Sequence, residues 1–161
     1  MPAPFPDDFP LPFYMAVGEL IISWAFLEQK IDVCVRIVFD HLDCSSIQTT
    51  LPQGTKRKAQ FLKRAFKEIP ELAPFADSVP HFSLAKHLAH IRHTAINGTL
   101  AAYDSECQTV IFNIFDSDGL GQKIDEERIP IREMLTISGQ CQDLTKQLQS
   151  IAERLSETFV A

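Results

Sequence analysis

Ser83–Leu100, SLAKHLAHIRHTAINGTL, is the stretch from which the rest of the chain takes its meaning. At 100° per residue, Leu84, Leu88, Ile91 and Ala95 fall in one sector, which predicts a helix with an apolar stripe turned into a core. Lys86, His90, His93 and Asn97 gather on the other side, and Arg92 sits at the margin of the stripe. Asn97-Gly98 tolerates the left-handed backbone that closes a helix and predicts its stop. A core helix therefore displays polar side chains over its last two turns.

Working outward, three more helices are expected. From about Phe13 to His41, the residues Val17, Leu20, Trp24, Leu27, Ile31, Val35, Val38 and Leu42 recur at spacings of three and four, a sustained core stripe. Glu28 lies at the edge of that stripe, where an unpaired carboxylate is costly; pairing with Arg92 across the bundle, or extension to solvent at the rim, are the two expectations. After a turn-rich Asp43–Gly54, a second helix near Thr55–Ile69 sets Phe61, Leu62, Ala65, Phe66 and Ile69 against Lys56, Arg57, Lys58, Lys63, Arg64 and Lys67. Six of the chain's 15 Lys and Arg residues fall there, which suits either a phosphate-contacting face or a solvated one. Glu71–Pro80 reads as a proline-bounded loop leading to a start of the central helix near Pro80 or His81.

Beyond Gly98 the period changes. TLAAYD and QTVIFNIFD read as two strands of a hairpin, rich in β-branched and aromatic residues, and a short third strand around Lys123–Ile129 is a further candidate. The last helix, about Pro130–Phe159, carries Leu135, Ile137, Cys141, Leu144, Leu148, Ile151, Leu155 and Phe159 on its apolar face. The fold class is mainly α: an antiparallel helical bundle of about four helices with a small β-hairpin between helices 3 and 4.

Composition narrows the rest. A chain of 161 residues suits one domain with a real core. Residues 1–12 hold five prolines and read as an extended arm, whose Phe5, Phe9 and Leu11 either lie on a neighbouring surface or stay exposed; residues 13–161 form the domain. A net charge of −6 argues against a protein that coats nucleic acid. Cys34, Cys44, Cys107 and Cys141 have no CxxC or metal-ligand spacing and read as reduced thiols. The amino-terminal residues lack the basic start and apolar run of a signal peptide, and no charge-free run approaches the ~20 residues of a membrane span. The expectation is a soluble, cytoplasmic protein without membrane attachment.

Arg92-His93-x-x-x-Asn97-Gly98 resembles the signature of the HEPN domains, the "higher eukaryotes and prokaryotes nucleotide-binding" superfamily, in which Arg and a polar residue are followed after three residues by His and often Gly. Asn97 stands where that family has its His. WAFLEQKID, residues 24–32, resembles the W-A-x-L-E element of the first helix in many HEPN-like proteins, and the order of elements is similar over most of the chain. The resemblance implies a homodimer packed through its long helices and a metal-independent ribonuclease site in which Arg92, His93 and Asn97 from two protomers meet. A His moves protons to and from a 2′-hydroxyl, and an Arg stabilises the charged phosphorane. Asn97 binds a phosphate but does not shuttle a proton at neutral pH. The leading expectation is thus a catalytically degenerate module that binds RNA, nucleotide or a protein partner, with His90, Lys86, Lys56, Lys63, Arg64, Lys67 and Glu28 as binding residues. Toxin–antitoxin or defence systems, with an antitoxin-type partner, are the context the resemblance implies. The alternatives are an active endoribonuclease using Arg92 and His93 (or His90), and a purely structural interaction domain.

Other motifs fall short. His87, His90 and His93 form H-x-x-H-x-x-H, but two histidines on one face make a weak metal site. Asp116, Asp118, Gly121 and Glu127 match positions 1, 3, 6 and 12 of a calcium loop; Leu120 replaces a ligand and a strand enters it, so an ordinary turn is expected. No metal or cofactor is expected.

Overall fold

The structure, a computed structural model, describes residues 9–115 and 123–160. Its elements are α1 (Leu11–His41), α2 (Thr55–Glu68), a 3-10 segment (Pro70–Ser78), α3 (Val79–Asn97), β1 (Thr99–Asp104), β2 (Thr109–Phe115), β3 (Lys123–Pro130) and α4 (Ile131–Phe159). The mainly α architecture and the sheet between the third and fourth helices match expectation. The hairpin is extended by β3, giving the antiparallel order β1-β2-β3. The segment expected to be a loop before α3 is wound as 3-10 helix, with Leu72 and Phe75 buried. The four calcium-loop positions lie partly outside the described residues, and Glu127 belongs to β3.

Helix α1 starts at Leu11, because Pro12 occupies the first turn, where its missing N–H costs nothing. Phe9 folds back, its ring 5.1 Å from Phe13 and 6.2 Å from Tyr103. Leu11 stays 70% exposed, so the end of the arm divides between the two expectations; Phe5 lies outside the described residues.

The expected stripes form the core. Leu20, Trp24, Leu27, Ile31, Val35 and Val38 of α1 are buried together with Phe61, Leu62, Ala65, Phe66 and Ile69 of the second helix and its C-cap. Phe66 is the hub of an aromatic cluster, 4.9 Å from Phe82 and 6.2 Å from Phe75 between ring centroids. Two stripes are turned from the expected phase. On α3, Phe82 and Ala85 enter the core with Leu88, and Leu84 is left exposed; on α4, Met134 is buried and Leu135 exposed. In each case a neighbouring side chain captures the position: Phe82 completes the Phe66 cluster, and Met134 joins the packing beneath the sheet.

Pairings across the bundle give the helix directions. Glu28, Asp32 and Phe39 of α1 meet Thr55, Lys58 and Phe61 of α2 in rising order. Ser23 and Cys34 likewise meet Gln142 and Leu148 of α4. Hence α1, α2 and α4 run the same way, and α3 is the antiparallel member. Residues 42–54 carry the chain back along α1 before α2 begins, and the sheet makes the equivalent return before α4. The sheet closes the end of the bundle where α1 starts, packing Val110, Phe112 and Ile129 against Phe13, Ala16, Ile131 and Met134.

The stop of α3 differs from expectation. Gly98 has φ −67° and ψ 146°, an extended conformation open to any residue. Space is what requires glycine: a Cβ there would lie 2.6 Å from the Thr94 carbonyl oxygen and 3.2 Å from Phe112. The chain turns from α3 into β1 so closely under β2 that no side chain fits.

Among the described residues, α1 alone is long and apolar enough to cross a membrane by length and composition. A core helix meets the same criterion, and α1 lies along α4 as one.

Candidate functional site

A cavity of about 720 Å³ opens between α1, the start of α2 and the outer face of α3. Trp24 lies in its wall from α1; Thr55 and Lys56 come from α2; Ser83, Lys86, His87, Ala89, His90, Arg92 and His93 come from α3. The i, i+3, i+4 spacing of the α3 residues places them on adjoining turns of a single helix wall. Thus the helix that supplied the sequence motif also lines the cavity.

Arg92 does not pair with Glu28. The Glu28 carboxylate accepts a hydrogen bond from the Thr55 hydroxyl at the first turn of α2, a local partner that α2 brings to it. The Arg92 guanidinium instead lies with Cζ 5.9 Å from the centroid of the Trp24 ring, within the range of a cation–π contact. Its Nε is buried without a hydrogen-bond partner, and so is Trp24 Nε1. Two N–H donors beside the cavity are therefore unsatisfied, an arrangement costing roughly 1–3 kcal/mol for each neutral donor and more for a charged one.

Around these donors the rim is basic. Lys56 and Lys86 are exposed and have no ion pair among the described residues. His90 Nε2 lies 3.8 Å from Glu127 Oε1 of β3, and Thr94 donates to the other carboxylate oxygen at 2.8 Å. Asn97 Nδ2 donates to His93 Nδ1 at 2.9 Å; that orientation leaves the neutral ring's proton on Nε2. Asn97 thus holds the tautomer and pose of His93 from outside the cavity wall.

The other proposed binding residues are placed apart. Lys63, Arg64 and Lys67 do not line the cavity. Arg64 is engaged by Glu68 at 3.2 Å, and Lys58 by Asp32 at 2.6 Å. Lys63 and Lys67 fall within about 40° of Lys56 around α2, so they extend the basic rim along that helix. Among the described residues, no three His, Cys, Asp or Glu side chains are gathered to hold a metal ion.

Two participants escape the sequence reading. Trp24 belongs to the α1 core stripe by its spacing, and nothing in that spacing separates a core residue from one whose edge borders a cavity. Glu127 is far from α3 in sequence and meets Thr94 only through the register of β3 on β2, where it pairs with Phe112. Comparison with protein-family models, with curated proteins and with solved structures yields no match.

Proposed function

We propose that this chain is a HEPN-like module that binds a phosphate-bearing ligand, RNA or a nucleotide, in the α1–α2–α3 cavity without cleaving it. The observation that carries this reading is Arg92 in the wall of a cavity rimmed by Lys56 and Lys86. The planar Arg92 guanidinium suits an oxyanion better than an ammonium does. The adjacent lysines supply the charge that draws a polyanion to a protein whose net charge is −6. The cleavage chemistry is reduced because Asn97 fills the position of the second proton carrier and is itself spent on His93. A cytoplasmic location belongs to the same proposal.

The test uses the chain's single tryptophan. A short single-stranded RNA and, separately, ATP are titrated against Trp24 fluorescence. Saturable quenching is expected with one of them, weakening at least tenfold in Lys56→Ala/Lys86→Ala and falling with salt. Arg92→Ala is expected to abolish it. Absence of binding by either ligand overturns the reading. RNA cleavage in EDTA that disappears in Arg92→Ala overturns the non-catalytic half of it and establishes a ribonuclease.

A further inference from the structure

The wall of the cavity carries charge of one sign. Lys56, Lys86 and Arg92 are fixed cations, His87, His90 and His93 stand beside them, and among the described residues no Asp or Glu lines it. Two carboxylates border the wall without entering it. Glu28 accepts from the Thr55 hydroxyl, and Glu127 accepts from Thr94 and lies 3.8 Å from His90. Both lysines and all three histidines are exposed. Lys86 and His93 stand seven residues apart on α3, so the row spans roughly 10 Å.

We propose that the ligand class of this cavity is a chain of condensed phosphates, three or more in length, recognised through its phosphates and not through a base. The proposal rests on the reading of the cavity as a phosphate site and narrows it. Two observations carry it. The first is charge density. An RNA diester brings one negative charge and then a ribose before the next, whereas condensed phosphates share a bridging oxygen. A terminal phosphate carries about −1.5 to −2 and each bridging one about −1 more, so a triphosphate sets about −4 within the row from Lys86 to His93. Three fixed cations with imidazole donors between them suit that charge, and a monophosphate leaves at least one cation unpaired.

The second observation is the composition of the wall. Sites that hold a base are lined mainly by apolar and aromatic side chains that stack on it. Of the ten residues in this wall only Trp24 and Ala89 are apolar. Trp24 is 3% exposed, with the Arg92 guanidinium over its ring. No Phe, Tyr or branched aliphatic side chain completes a slot for a base. The same phosphate chemistry comes as inorganic polyphosphate, as a nucleoside triphosphate or as the 5′-triphosphate end of an RNA.

Isothermal titration of the full chain in EDTA with orthophosphate, pyrophosphate and tripolyphosphate is expected to show affinity rising about tenfold per phosphate, as each adds a charge-assisted contact. ATP and UTP are expected to bind within about threefold of each other, and AMP and 5′-hydroxyl oligouridylate at least about tenfold more weakly than either. Whichever of tripolyphosphate, ATP and 5′-triphosphate oligouridylate binds most tightly identifies the source, and each of these results supports the class. Lys56→Ala and Lys86→Ala are each expected to cost tripolyphosphate about tenfold and orthophosphate less than about threefold. Lys146→Ala, removing a charge from α4 beside Asp143, is expected to change neither. Excess Mg²⁺ is expected to weaken tripolyphosphate binding, because the ion neutralises the chain and the wall has no carboxylate to hold it. Equal affinity for one and three phosphates, a preference of more than about tenfold between ATP and UTP, AMP or 5′-hydroxyl RNA as tight as tripolyphosphate, or binding strengthened by Mg²⁺ would each overturn the inference and leave the phosphate site standing. Absence of binding by all of these compounds overturns both.

Discussion

Replacing Gly98 by alanine is expected to destabilise the protein, against the usual direction for a glycine in a backbone conformation that alanine adopts freely. With φ −67° and ψ 146°, the substitution restricts the unfolded chain and, in open space, would stabilise by about 0.4–1 kcal/mol. Here the added methyl lies 2.6 Å from the Thr94 carbonyl oxygen and 3.2 Å from the Phe112 Cβ and Cδ1. The Thr94 carbonyl is backbone and accepts the Gly98 N–H at 2.9 Å, so it cannot turn aside without losing the cap of α3. Overpacking of this kind costs about 1–3 kcal/mol, and a weakened cap hydrogen bond adds roughly 1 kcal/mol. The net expectation is a loss of about 1–3 kcal/mol, read as a lower urea midpoint with an unchanged slope by circular dichroism. Gly139, inside α4 with nothing within 4 Å of a built Cβ, is the control. Gly139→Ala is expected to stabilise by about 0.5–1 kcal/mol through helix propensity alone. Equal behaviour of the two variants would refute the claim that space, rather than conformation, selects glycine at the end of α3.

Phe66→Ala, at the centre of the aromatic cluster, is expected to cost about 3–5 kcal/mol in the same assay, because three elements surround the cavity it leaves. Native protein is expected to titrate one thiol with Ellman's reagent, Cys107, and four after unfolding in guanidinium, since Cys34, Cys44 and Cys141 are buried. Burial pushes the Cys34 thiol up to about 12 and Cys141 up to about 11. These groups have folded values above their unfolded ones, so their contribution is complete below pH 9 and is lost as pH rises through 9 to 12. For Cys34 that loss is of the order of 4 kcal/mol. Cys34→Ala is expected to shift the alkaline unfolding midpoint upward, and an unmoved midpoint would count against it.

The helices were legible because each carries a repeating apolar face, and on α1 and α2 nearly every expected core residue is buried. Their phase was less secure where two apolar residues adjoin: Leu84 lost its place to the arc of Phe82 and Ala85, and Leu135 to Met134. Periodicity says which face is inward to within one residue, and a neighbouring aromatic ring or sheet decides the rest. The cavity wall on α3 was readable as polar residues at helical spacing. The partners of those residues were not, since Glu28 finds Thr55 and Thr94 finds Glu127 through tertiary geometry. A second apolar stripe on α1 was present in the sequence too, interleaved with the first, but counting one core face left Leu11, Met15, Ile22, Phe26 and Val33, all exposed, unexplained.

The shared direction of α1 and α4 has a consequence during synthesis. The contacts between them join residues 114 and 119 positions apart, so closing that pair is entropically costly and slow relative to local helix formation. A ribosome adding about 5–20 residues per second completes α1 several seconds before α4 begins. Throughout that interval a helix apolar on both faces lacks its carboxy-terminal partner. The yield on expression is thus expected to depend more on that interval than on the stability of the finished bundle, and co-expression of a holdase chaperone is expected to raise it.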